Sequence, residues 1–224
     1  MRSFFFLCFL VSGMCTGQNI EMSTHFGKNN FYKLYNEYSG FTSGLANAIN
    51  IAVSDIETNW SKVRLELGLV SYSGKYRYNY VGKAGNSTRF SGEIMNTDIC
   101  FTFYPLSIQF WKKFEFDLGV RIAKNVDENF AVTIKSTSVN TSTNQLESEE
   151  KTLNEKFSSI SIKALKIGVS SRLAYNITLG ENWSIQPQLT YFLGLSGELY
   201  GSPSKMKSMR YYAGIGIRRS LSFD

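Results

Sequence analysis

The chain has 224 residues, 43% hydrophobic and 19% charged, with 24 Lys plus Arg against 18 Asp plus Glu. This apolar content supports a packed core and argues against general disorder. No apolar run approaches the roughly 18 residues of a spanning helix, which excludes a polytopic helical membrane protein. The basic residues are dispersed and form no nucleic-acid-type patch.

Residues 1–17 read as a secretory signal peptide. Arg2 is the basic region, residues 4–11 (FFFLCFLV) the apolar region, and Ser12, Gly13, Thr16 and Gly17 supply the small residues before a cleavage site. Met14 in front of Cys15 argues against lipidation. Cleavage before Gln18 leaves 23 basic and 18 acidic side chains, a charge of +5. It also leaves Cys100 as the one cysteine, so no disulfide framework is expected. Residues 18–224 are then a single domain.

That domain alternates with a period of two, the mark of strands with one apolar face. Ile20, Met22 and Phe26 alternate with Glu21, Ser23 and His25. Phe41, Leu45, Ile49, Ile51 and Val53 share the apolar face of a second strand. Val63, Leu65, Leu67 and Leu69 alternate with Lys62, Arg64, Glu66 and Gly68. Met95, Ile99, Phe101 and Phe103 alternate with Asn96, Asp98, Cys100 and Thr102. Phe114, Phe116, Leu118, Val120 and Ile122 alternate with Glu115, Asp117, Gly119, Arg121 and Ala123. Over 165–179 the odd positions are mostly apolar and the even ones include Lys166 and Arg172. Trp183, Ile185, Leu189, Tyr191 and Leu193 oppose Gln186, Gln188 and Glu198. Met209, Tyr211, Ile215, Ile217 and Phe223 oppose Arg210, Gly214, Gly216 and Arg218.

Eight strands result, several of 14 residues or more by this alternation. Soluble strands average about 5–6 residues, whereas a membrane-spanning strand needs about 9–11. The connections at 55–59, 105–112 and 180–182 are short; those at 28–38, 80–89, 125–157 and 200–207 are longer. Short and long connections in alternation, with an even strand count, predict an all-β, eight-stranded antiparallel up-and-down transmembrane barrel. Trp60, Trp111 and Trp183 fall at the short connections and mark one interfacial rim, with Phe223 a further interface aromatic. Only Trp183 has outward parity.

In such a barrel the polar face lines the lumen. It carries Lys62, Arg64, Arg121, Lys166, Arg172, Arg210 and Arg218 against Glu21, Glu66, Asp98, Glu115, Asp117 and Glu198. A near-balanced buried set predicts an ion-pair network, with Glu115 and Asp117 partnering Arg121 and neighbouring cations. An eight-stranded interior is just wide enough for side chains to fill. The expectation is a plugged scaffold.

The segments "SGFTSGLANAINIAV" (39–53), "WSKVRLELGLVSYSG" (60–74), "ICFTFYP" (99–105), "KFEFDLGVRI" (113–122) and "RYYAGIGIRRSLSF" (210–223) resemble the PorT-like outer-membrane barrels of Bacteroidota-type bacteria. That group is similar to OmpX and the OmpA barrel. The resemblance covers the mature chain. It implies outer-membrane residence, with lipid, lipopolysaccharide and the barrel-assembly machinery as partners, and it carries no catalytic residues.

The residues themselves point to no cofactor, metal or enzymatic activity. His25, the single histidine, has Ser23 two residues away on the same face, which would suit a dyad, yet a lumen histidine is more often a hydrogen-bonded filler. Cys100 reads as a small filler. No Cys/His spacing suits a metal. Pro187 removes a ladder donor and predicts a local bulge. The chain is expected to be monomeric. Segment 125–157 is expected to project as a hairpin, with 138–150 as its mobile tip and Phe157, Ile160 and Ile162 across from 130–134, and to offer a surface to an extracellular or envelope protein. Two alternatives stay open: a soluble exported lipocalin-like barrel, and a secretion-associated or lipid-modifying outer-membrane barrel.

Overall fold

The computed structural model describes residues 19–32, 40–57, 62–81, 87–111, 113–140, 145–153, 161–162, 165–197, 199–200 and 207–221. The leader at 1–17, Trp60, Glu198 and Phe223 lie outside them.

The strands are β1 (Asn19–Tyr32), β2 (Gly40–Glu57), β3 (Lys62–Val81), β4 (Ser87–Phe110), β5 (Phe114–Asn140), β6 (Gln145–Leu153), β7 (Ser161–Ile162), β8 (Leu165–Tyr175), β9 (Ile177–Thr178), β10 (Trp183–Gly194), β11 (Leu199–Tyr200) and β12 (Lys207–Ser220). Eight of them, β1 to β5, β8, β10 and β12, each pair antiparallel with their neighbours, and β12 closes the sheet by pairing with both β10 and β1. The fold is a closed eight-stranded antiparallel up-and-down barrel.

The register fixes the barrel's dimensions. Stepping through partners from Ile20 leads to Val53, Leu65, Phe103, Val120, Val169, Leu193, Met209 and back to β1 at Asn30. The circuit returns ten residues further along, from 20 to 30, which is the shear. With eight strands, that shear corresponds to a strand tilt of about 40° and a backbone radius of about 8 Å. Every residue on this circuit except Asn30 is apolar.

Irregularities sit near the rims. Asp55 adopts φ 58° where the β2–β3 register shifts between Val53 and Ile56. The expected connection at 105–112 is not a loop. β4 continues through Pro105 to Phe110, because a one-residue shift between Phe103 and Leu106 accommodates the missing proline N–H. Gly119 lies against this bulge, where a Cβ would come within 2.1 Å of the Phe103 carbonyl oxygen. The turn itself is Trp111–Lys113, with Trp111 at φ 50°. That left-handed backbone reconciles the exposure of Trp111 with its inward strand parity.

Pro187 produces no bulge. Gln188↔Ala174 and Ile185↔Ile177 stay in register, and the ladder merely lapses between them, separating β9 from β8. Strands also extend further than the apolar alternation suggests. β1 runs to Tyr32 and β3 and β4 pair as far as Val81↔Ser87, so polar residues expected in connections belong to the sheet.

Candidate functional site: the filled lumen and its two ends

The alternation sends the polar face inward. Among the described residues, the buried charged side chains are six cations (Arg64, Arg121, Lys166, Arg172, Arg210, Arg218) and five carboxylates (Glu21, Glu66, Asp98, Glu115, Asp117). They form linked clusters along the barrel axis.

The first cluster centres on Glu21, which is 1% exposed. Arg64 donates to it from Nη1 at 2.7 Å and Nη2 at 2.9 Å, Arg172 at 3.1 Å, Arg218 at 3.3 Å and Gln188 at 2.6 Å. Arg172 also donates to Glu115 at 2.9 Å and Asp117 at 2.6 Å, and Arg218 donates to Glu115 at 2.8 Å. Charged hydrogen bonds of this geometry are the strong class. They are what allow these charges to remain buried.

Next along the axis, Arg121 donates to Glu66 at 3.1 Å and to Thr102 at 2.9 Å. The expected pairing of Arg121 with Glu115 and Asp117 does not occur. Four residues along a strand put Arg121 about 13 Å beyond Asp117, so the acids find cations on β8, β12 and β3 instead. Toward the hairpin end, Lys166 donates to both oxygens of Asp98 at 2.7 and 2.9 Å and to the Tyr72 hydroxyl at 2.5 Å. Arg210 lies over the Tyr72 ring at 3.6 Å, is 3.9 Å from Asp98, and donates to Asn29 at 3.3 Å.

Lys62 does not join the lumen. It lies at the barrel mouth, where its half-exposed ammonium meets Asp55 at 3.7 Å. Glu21, Gln186, Gln188, Tyr72 and Phe192 matter more than the charge pattern suggested. The aromatic pair was legible only as apolar residues at lumen parity, while neighbours on the same strands pointed outward.

Small residues make room for large ones. A Cβ on Gly214 would fall 2.3 Å from His25 Cδ2, and one on Gly168 2.5 Å from the Phe192 ring. His25 is 2% exposed, with Nε2 3.0 Å from Gln188 Oε1 and Nδ1 3.4 Å from Asn50 Nδ2. Cys100 is a buried free thiol facing the lumen.

The outward face is the opposite. Met22, Phe26, Leu45, Ile49, Leu67, Ile99, Phe101, Val120, Ile167, Leu189 and Ile217 are all exposed, and each of the eight staves contributes. Among described outward positions no charged side chain interrupts the band. Lys28, Lys75, Glu93, Lys124 and Lys207 bound it at one end, and Lys62, Lys113, Glu181 and Arg219 at the other. On β5 the ten residues between Lys113 and Lys124, tilted as above, rise about 25 Å. Trp111 is 81% exposed at the lower rim, grouped with Phe110, Phe114 and Tyr175. Trp183 is exposed at the same rim under the Arg219 guanidinium.

Beyond the upper rim, β3 to β6 stand as a sheet extension. β5 and β6 pair from Val132↔Leu153 to Asn140↔Gln145, so 138–140 and 145–150, expected in a mobile tip, belong to the sheet, and 141–144 lie outside the described residues. Leu153 and Lys151, not the later apolar residues, face 132 and 134; Ile162 pairs with Leu199, while Phe157 and Ile160 lie outside the described residues. Lys75, Arg89, Glu93, Lys135 and Glu150 are exposed on this extension.

No family model matches the chain, and no curated protein does. The chain is similar to several solved structures. Neisserial surface protein A matches at 9% identity and TM-score 0.37, covering 91% of this chain and 99% of its own. The outer membrane protein OprG from Pseudomonas aeruginosa matches at 10% identity and TM-score 0.41, covering 94% and 98%. The outer membrane protease OmpT from Escherichia coli matches at 8% identity and TM-score 0.32, covering 92% and 97%. At these identities no residue role transfers.

Proposed function

We propose that the protein is a bacterial outer-membrane barrel that serves as a non-enzymatic, non-conducting scaffold, exported by its leader and presenting the β4–β5–β6 extension to the cell exterior. The observation that carries this reading is the uncharged apolar band on all eight staves, backed by a charged lumen. A spanning sheet must satisfy its backbone internally, show apolar side chains to lipid and keep polar ones inside. A soluble ligand barrel needs the reverse polarity, with an apolar interior to receive its ligand.

The filled lumen supports a plug rather than a pore, because ion pairs across the axis occupy the path a solute would take. His25 is engaged with Gln188 and Asn50, which favours a filler over a catalytic base. Kinship with the PorT-like group rests on the segments quoted above. A surface on the extension is the natural place for an envelope or extracellular partner, since rigid scaffolds present function on their connections. Fractionation tests the reading. Detergent-dependent solubility with heat-modifiable gel mobility supports it, and a buffer-soluble monomer would overturn it.

A further inference from the structure

The barrel end opposite the hairpin opens into a cup of ≈ 300 Å³. Asn19, Ser107, Gln109, Asn176, Asn182 and Ser184 furnish its wall and Trp183 its lip. Its floor is the Glu115–Arg218 ion pair at 2.8 Å, beneath which Glu21 and Arg172 close the way into the lumen. The cup is blind and belongs to none of the roles assigned above.

We propose that this cup binds a short neutral saccharide of one or two rings. Its volume is at the lower end of small-molecule sites. Its charged lining is Asp55, Glu115 and Glu181 against Lys62 and Arg218, and both cations are already paired. An anion would therefore meet a net negative wall. Amides and hydroxyls instead offer donors and acceptors in both senses, which suits vicinal hydroxyl groups.

One further feature points the same way. The Trp183 indole, half exposed and covered on one side by Arg219 at 5.4 Å, supplies an apolar platform beside the polar groups. The chemistry stands on the cup alone. The source of the ligand, a glycan on the periplasmic side, rests on the outer-membrane reading.

The test is calorimetric titration of the full chain, folded in detergent micelles, with N,N′-diacetylchitobiose, and with sulfate in parallel. Saturable heat with the disaccharide and none with sulfate is expected. Trp183→Leu and Asn182→Ala should each weaken binding about tenfold while retaining heat-modifiable mobility, which reports the fold separately. No saturable heat from a folded barrel, tighter binding of sulfate, or unchanged binding by both variants would overturn the proposal. Failure of the membrane reading would appear in fractionation and not in this titration.

Discussion

Replacing Glu21 by Gln removes the one carboxylate shared by three guanidinium groups while preserving its shape. Arg64 loses the carboxylate charge and one of its two short acceptors, and keeps Glu66 at 3.3 Å and Asp117 at 3.9 Å. Arg172 and Arg218 keep Glu115, and Arg172 also keeps Asp117. Breaking a buried ion pair by removing one partner costs about 3–5 kcal/mol. Because each cation retains another acid, the lower end applies, about 3 kcal/mol. With a urea slope of roughly 2 kcal/mol per molar, the unfolding midpoint should fall by about 1.5 M. The assay is urea unfolding in lipid or detergent, followed by loss of the fast-migrating folded band. Lys62→Ala is the internal control, since an exposed pair is worth about 0–1 kcal/mol. Equal midpoints for Glu21→Gln and the unaltered protein would refute the view that the lumen network holds the barrel together.

The unaltered protein in planar bilayers should show no large, stable single-channel conductance, because the Glu21 and Asp98 clusters block the axis. Val120→Arg, in the middle of the apolar band, should destabilise the lipid-folded barrel by about 2–4 kcal/mol, whereas Lys124→Ala should change it little; unfolding in vesicles measures both. Gly214→Ala should cost about 1–3 kcal/mol by the same assay, because the added Cβ would lie 2.4 Å from the Thr24 carbonyl oxygen, a backbone atom that cannot swing away. An epitope tag within 141–144 should be labelled on intact cells, and labelling only after permeabilisation would reverse the topology.

The period of two was enough to read the barrel, because each strand has a different solvent on either face and every side chain must choose. Leu118, Val120 and Ile122 against Asp117 and Arg121 leave no ambiguity about which atoms go inward. Pairing within the lumen was not legible. A strand's charges find partners across the axis, and distances such as Arg172 to Glu21 depend on the shear. Lys62 sits at the open mouth rather than deep in the lumen, and how far along the axis a charge lies is not written in the alternation. Pro105 was read as the start of a connection and Pro187 as the site of a bulge. In the closed sheet, one is absorbed by a bulge and the other by a lapse in a single ladder.

The most direct test of the apolar face's orientation is a spin-label scan of β5 from Phe114 to Lys124 in lipid bilayers, in a Cys100→Ala background. Collisions with dissolved oxygen report lipid, and collisions with a water-soluble nickel chelate report solvent. At positions 116, 118, 120 and 122 the account predicts high oxygen and low nickel accessibility, with both reagents excluded from positions 115, 117 and 121. Nickel access at 116–122 would place that face in water and contradict a membrane-spanning barrel.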